Sequence, residues 1–228
     1  MSSGARVDHL VVVAAELDEG VTWCQDTLGA APGPGGKHPR MGTWNRLLRL
    51  GSALHPRAYL EIIAIDPQAC GPRASGKRWF DMDDERLRAA VAERGPRLVH
   101  LVAEVDDIGA GVTALAGCGI DRGEVHQMSR STGRGELQWQ ITVREDGRRL
   151  FDGCLPTLIR WRNTHPTATM PDSHIGLAAL AVTHPQADQL RAACAVLGLR
   201  GVPVHQGAAA VVATLETPRG RVVLSSQD

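Results

Sequence analysis

The chain carries no excess charge of either sign: 25 lysines and arginines face 25 aspartates and glutamates over 228 residues. Without a net field to draw in a polyanion, nucleic acid, an anionic membrane surface and a strongly acidic partner are set aside. No apolar run approaches the roughly 18 residues needed to cross a bilayer. The opening Met1-Ser2-Ser3-Gly4-Ala5-Arg6 lacks the apolar core of a secretory signal. The five cysteines, Cys24, Cys70, Cys118, Cys154 and Cys194, are odd in number and form no Cys-x-x-Cys pair, which argues against a disulfide scaffold and a cysteine zinc cage. The expectation is a soluble protein of the reducing cytoplasm. Four chemical signatures are also missing: the Gly-x-Ser-x-Gly elbow, the Gly-x-x-x-x-Gly-Lys-Ser/Thr phosphate loop, a dinucleotide fingerprint after the first strand, and His-Glu-x-x-His.

What is present is ample apolar material, 43% of residues, arranged as an internal repeat. Asp8-His9-Leu10-Val11-Val12-Val13 leads into an amphipathic stretch ending at Leu28-Gly29. The outline returns from His100-Leu101-Val102-Ala103-Glu104-Val105 to Gly117-Cys118-Gly119, and again from His174-Ile175-Gly176-Leu177 to Leu197-Gly198. Each copy places a histidine at the head of an apolar strand that feeds a helix.

Residues 7–14 are apolar except Asp8 and His9, the pattern of a strand covered on both faces. Leu17, Val21, Cys24 and Leu28 then form a helical stripe, with Asp18 as N-cap and Gly29 as stop. Residues 31–36 read as a loop, and 43–50 and 57–65 as strands. A second Pro/Gly-containing connection spans 71–76, followed by a short charged surface helix over 84–94 that bridges two units. In the second unit 98–105 is a strand, Asp106 or Asp107 caps a helix, and 136–143 and 155–161 are strands. The third copy is shorter: a helix opened by Pro185, then strands at 209–215 and 221–224. The expected units are 7–70, a linker with a short helix at 71–97, 98–165, and a degenerate 166–228.

A βαβββ unit used twice, with histidine heading each first strand and Tyr59-Leu60-Glu61-Ile62-Ile63 on the fourth strand of the first, resembles the vicinal-oxygen-chelate superfamily of glyoxalase I and the extradiol dioxygenases. Within it the chain is similar to the glyoxalase-like domain family, through the stretch from Gly35-Gly36-Lys37-His38 to Trp44-Asn45-Arg46-Leu47-Leu48, through Tyr59-Leu60-Glu61, and through Leu155-Pro156-Thr157-Leu158-Ile159-Arg160-Trp161. The resemblance implies an α+β fold: paired βαβββ modules forming a cupped mixed sheet with outer helices, plus a shorter C-terminal βαββ module. It also implies a divalent metal (Fe, Mn, Ni or Zn) between first and fourth strands, held by His9, Glu61 and His100, with the fourth position falling at Arg160. An arginine cannot ligate a cation. Either the register slips, three ligands suffice, or no metal binds, and Arg160 instead pairs with Glu61 or grips a substrate carboxylate.

Each candidate has a plainer explanation beside the functional one. His9 and His100 can be strand-starting polar residues satisfied by backbone, but their equivalent placement and a carboxylate in an apolar strand at Glu61 point to a site. His38 and Asn45 are candidates to touch ligand, or are solvated and backbone-paired. Trp44 and Trp139 serve packing or the cup wall. Glu104 and Gln140 are spare candidates for general base or substrate hydrogen bonding. His174 reads as a remnant, and His55, His165 and His184, each before proline, as turn residues.

The resemblance implies a metal-dependent lyase, isomerase or dioxygenase acting on a small oxygen-bearing metabolite in the inter-module cup. The alternative is a metal-free protein that binds and sequesters such a molecule. A small-molecule substrate is the expected partner, and a homodimer the one macromolecular association left open.

Overall fold

A computed structural model describes residues 4–69, 76–133 and 135–227 of the chain; Cys70 and residues 71–75 of the expected Pro/Gly connection lie outside them. The first unit runs β1 (Arg6–Val13), α1 (Leu17–Leu28), β2 (Gly33–His38), β3 (Thr43–Arg49) and β4 (Tyr59–Ile65). The second repeats this as β5 (Arg97–Glu104), α3 (Ile108–Gly117), β6 (Glu124–Thr132), β7 (Gly135–Val143) and β8 (Thr157–Trp161), with α2 (Glu85–Arg94) between the two. Together they make one curved eight-stranded sheet in the order β2-β3-β4-β1-β5-β8-β7-β6, a palindrome of two βαβββ modules. No helix among the described residues is long and apolar enough to cross a membrane.

The strand alternation sorts side chains to two faces. Leu10, Val12, Leu60, Ile62 and Leu101 join Leu17, Cys24 and Leu28 of α1 in the outer core, while Val11, Val13, Ile63, Val102, Ile141 and Ile159 line the concave face. Helix α1 begins one residue before the expected Asp18 cap, which sits in its first turn, and ends at Gly29 in the left-handed region (φ 77°) with its N–H on the Gln25 carbonyl. Strands β1 and β5 run antiparallel with Leu10 opposite Leu101, and each pairs in parallel with its module's last strand, Val11 opposite Glu61 and Val102 opposite Thr157. Turning one module onto the other about the Leu10/Leu101 pair therefore superposes His9 on His100, and Glu61 on Thr157.

Three elements differ from the sequence expectation. The Gly/Pro stretch read as a loop is the edge strand β2; Gly35 lies so close to the Asn45 carbonyl that a Cβ there would overlap it. Strand β6, Glu-Val-His-Gln-Met-Ser-Arg-Ser-Thr, is the opposite edge and too polar to announce itself. The C-terminal unit, β9 (Gly176–His184), α4 (Ala187–Val196), β10 (Val204–Gln206), β11 (Ala210–Thr217) and β12 (Gly220–Ser225), forms its own sheet in the order β10-β9-β11-β12. It carries one more short strand than expected, and its first strand pairs with the second and third rather than the fourth. This sheet packs into the outer core and is tied by Leu177 N–H to the Leu50 carbonyl (3.0 Å) and Ala5 N–H to the Leu197 carbonyl (2.9 Å).

The bridge between modules also fills the cup. Before α2 the chain turns inward and stacks Trp79 on Phe80 (centroids 5.2 Å) among the concave-face residues. Phe80 and Asp81 both adopt left-handed backbone (φ 59° and 58°), a strained conformation for side chains of this kind. It is held by Asp81 N–H on the Gly147 carbonyl, Arg149 on Asp81 (2.9 Å) and Arg78 on Asp83 (2.6 Å).

Because Gly35 is needed for the close approach of β2 to β3, Gly35→Ala is expected to lower stability by about 1–3 kcal/mol through overpacking. A thermal melt that matches the wild type would show that the edge adjusts freely.

Candidate functional site

The site grows from an irregularity in β1. The β1–β5 register shifts between Val7 and His9, and the Asp8 carboxylate, 1% exposed, is buried beside the His9 ring instead of alternating away from it. Asp8 accepts from His9 Nδ1 (2.6 Å), Trp161 Nε1 (2.9 Å) and His165 Nε2 (3.0 Å). His165 opens a short 3-10 turn, Pro166–Ala168, where its Nδ1 accepts from Thr167 N–H, so its proton lies on the nitrogen facing Asp8. His9 is thereby oriented with Nε2 pointing at Glu61 Oε2, 3.5 Å away, and Tyr59 stacks on its ring (4.6 Å). Glu61 Oε1 accepts from Asn45 Nδ2 (2.6 Å), and Asn45 Oδ1 accepts from Gly36 N–H and from Arg130 Nη1 (3.1 Å).

His9, Tyr59, Glu61, Asn45 and Arg130 border a cavity of about 30 Å³ that His38, Trp79, Trp139 and Trp161 complete, with Asp8 and His165 outside its lining. That is room for one or two water molecules. His38 has Nδ1 on Thr43 Oγ1 (3.2 Å) and its ring edge-on to Trp79.

Burial alone would neutralise this cluster, and hydrogen bonding decides otherwise. For Asp8 desolvation works upward, but the bonds from His165 and His9 outweigh it and hold the carboxyl far below the usual range. Burial pulls His9 down, yet Asp8 and Glu61 carry it up to about 9. Glu61 is likewise opposed by burial and lowered by His9, His38 and Asn45. His38, with burial dominant and Arg130 and His9 adding to it, falls to about 4 despite Glu61. At neutral pH the Glu61 carboxylate, the His9 imidazolium and the Arg130 guanidinium border the hollow, and the Asp8 carboxylate sits on the far side of the His9 ring.

Of the residues singled out in the sequence, His9, Glu61, His38, Asn45 and Trp139 converge here; the others lie elsewhere. His100 does not join His9 and Glu61 as a third ligand: its Nδ1 faces the Gly153 carbonyl (2.8 Å) and its Nε2 accepts from Thr157 N–H, leaving no lone pair for a metal. Arg160 does not face the cup. It is exposed, because the fourth-strand counterpart of Glu61 is Thr157, three residues earlier. Gln140 lies opposite Arg160 on the outer face, the reverse parity to Trp139, and Trp44 packs against the outer core. Glu104 stands outside the cavity between Arg6 (3.0 Å) and Arg57 (3.3 Å). With Asp8 and His165 it makes the one group of three ligand-type side chains within 4.8 Å of one another among the described residues. Every carboxylate oxygen and ring nitrogen in that group already has a hydrogen-bond or ion-pair partner.

Sequence reasoning missed Asp8, Tyr59, Arg130, His165, Trp161, Trp79 and Phe80. Only Asp8 left a signal, a second acid in an apolar strand.

The family model described as Glyoxalase-like domain matches residues 7–198. The chain matches no curated protein. Among solved structures it is similar to a hypothetical protein from Staphylococcus aureus (14% identity, 90% of this chain and 87% of that one, TM-score 0.59). It is also similar to methylmalonyl-CoA epimerase from Mycobacterium tuberculosis (16%, 74% and 93%, TM-score 0.40). A variant of the Streptomyces coelicolor methylmalonyl-CoA epimerase in complex with 2-nitronate-propionyl-CoA matches comparably (15%, 70% and 97%, TM-score 0.41). These are likenesses of fold.

Between the unfolded histidine value near 6.5 and about 9, the folded chain holds a proton on His9 that the unfolded chain has lost, so stability falls as pH rises through that window. The loss amounts to as much as about 3 kcal/mol. Urea unfolding at pH 6.5 and pH 9.5 is expected to show this decline in the wild type and a much smaller one in His9→Asn. Equal declines would place the titration elsewhere.

Proposed function

The chain belongs to the glyoxalase-like domain family, and from that membership and the geometry of the cavity we propose that it moves a proton on a small oxygen-bearing carbonyl compound, as an isomerase or lyase. The observation that carries this reading is the Asp8-oriented His9 facing the Glu61 carboxylate at 3.5 Å in a water-poor hollow. Glu61, kept ionised, takes the proton from the carbon beside the carbonyl. The electron pair moves onto the carbonyl oxygen, which accepts from His9 Nε2–H, and the imidazolium stabilises the enolate charge. Return of the proton to the other face or the neighbouring carbon completes an isomerisation, and expulsion of a leaving group on the next carbon completes a lyase reaction. Asn45 holds Glu61 in place.

The divalent ion implied by the family resemblance does not fit these residues. His9 Nε2 and Glu61 Oε2 offer two donors, but the second module supplies a threonine and a histidine whose nitrogens are both engaged. No step is therefore drawn through a metal, and the Fe, Mn, Ni or Zn centre and dioxygenase chemistry are not part of this reading. A second reading, ligand capture without turnover, is favoured by the closure of the hollow to about 30 Å³. It predicts binding with no proton exchange.

Proton NMR in deuterium oxide tests the first reading with hydroxyacetone and 6-oxoheptanoate as probes. The expected result is protein-catalysed exchange of hydrogens next to the carbonyl, unaffected by chelator and reduced about a hundredfold or more in Glu61→Gln. Exchange that is absent in the wild type, or unchanged in Glu61→Gln, would overturn it.

A further inference from the structure

The second module buries a cation that no carboxylate among the described residues pairs with. Arg122, in the connection between α3 and β6, is 2% exposed. Its Nε donates to the Pro156 carbonyl (2.9 Å) and its Nη2 to Thr157 Oγ1. Among the described residues no carboxylate lies within ion-pair distance of it; the adjacent Asp121 pairs with Arg144 (3.2 Å), and Asp81 with Arg149. Burial, helped by Arg144, lowers Arg122 only to about 10, so it remains charged at neutral pH. A buried guanidinium bonded only to neutral oxygens is a costly arrangement, and the penalty is relieved when an anion completes its fork.

The position of this charge matters as much as its burial. Thr157 is the counterpart of Glu61 in the second module, so Arg122 stands at the opposite pole of the same concave face. It borders a second cavity of about 10 Å³ together with Trp79, Phe80 and Thr157, and Arg144, Arg148 and Arg149 line the same space and add to its positive charge. Trp79 and Phe80 border the His9/Glu61 cavity too, so one pair of rings, Phe80 on strained backbone, forms a wall of both. With those rings displaced, the two cavities become one slot with an acid–base pair at one end and a cation at the other. From β4 across β1 and β5 to β8 is three strand spacings, roughly 14 Å along the sheet and less across the hollow.

We propose that Arg122 and Thr157 form a subsite for the carboxylate of an elongated keto acid, whose carbonyl end reaches His9 and Glu61 while Trp79 and Phe80 give way to its apolar middle. The recognition of an acid expected at Arg160 belongs instead to Arg122. This assignment rests on the proton-transfer reading for the role of the carbonyl end, while the subsite itself is tested without it.

Isothermal titration with 6-oxoheptanoate and its methyl ester makes the test, since the two differ at one end alone, by the charge and one methyl group. The wild type, or Trp79→Ala if the closed hollow admits neither, is expected to bind the acid at least tenfold more tightly than the ester. Arg122→Gln is expected to abolish that preference, through a loss of acid affinity larger than any loss of ester affinity. Thr157→Val, which removes only the hydroxyl partner, is expected to reduce it and serves if Arg122→Gln does not fold. Equal affinity for acid and ester, binding of neither by Trp79→Ala, or a preference that survives Arg122→Gln would overturn the subsite. Glu61→Gln separates the two readings: it is expected to keep the acid preference. A preference without exchange in the wild type sinks the proton-transfer reading alone, and exchange without preference sinks the subsite alone.

Discussion

The Asp8 carboxylate is the tie on which the rest depends. Three ring N–H donors, from His9 on its own strand, Trp161 at the end of β8 and His165 in the following turn, meet on its two oxygens in a place with almost no water. A buried carboxylate is tolerable only when so many donors surround it. Because the donors come from both modules, one ionised group joins the halves of the sheet and fixes the direction of the His9 ring. His9 in turn keeps Glu61 charged, and Glu61 positions Asn45, which reaches Gly36 and Arg130.

The two modules share a scaffold and divide its chemistry. The same register position carries Glu61 in one and Thr157 in the other. The first half collects carboxylates around an imidazolium; in the second, His100 is held neutral by burial and by Arg122 and exchanges hydrogen bonds with backbone. Duplicated strands thus place an acid–base pair in one module and a buried arginine in the other.

The fold was legible in the sequence where burial is two-sided. His9, His100 and Glu61 stand out because each interrupts an apolar strand, and the helical stripe of α1 emerges from spacing alone. The edges were not legible: β2 is glycine- and proline-rich because β3 approaches it closely, and β6 is polar because its edge position and solvent permit it. Site assignment failed where it depended on register. A three-residue difference along β8 separates Arg160 from Thr157 and exchanges solvent for interior. The plug was hidden for another reason, since Trp79 and Phe80 sit in a linker and only tertiary packing turns a connection into a core element. His165 was read by its proline, which does set the turn but says nothing about the ring.

The C-terminal sheet is pinned to the convex side through the Leu50 and Leu197 carbonyls and shares its apolar core with α1 and α3. This bracing backs the arch on its convex side. A ligand of the proposed slot therefore has only the short inward turn bearing Trp79 and Phe80 to displace, not the braced sheet.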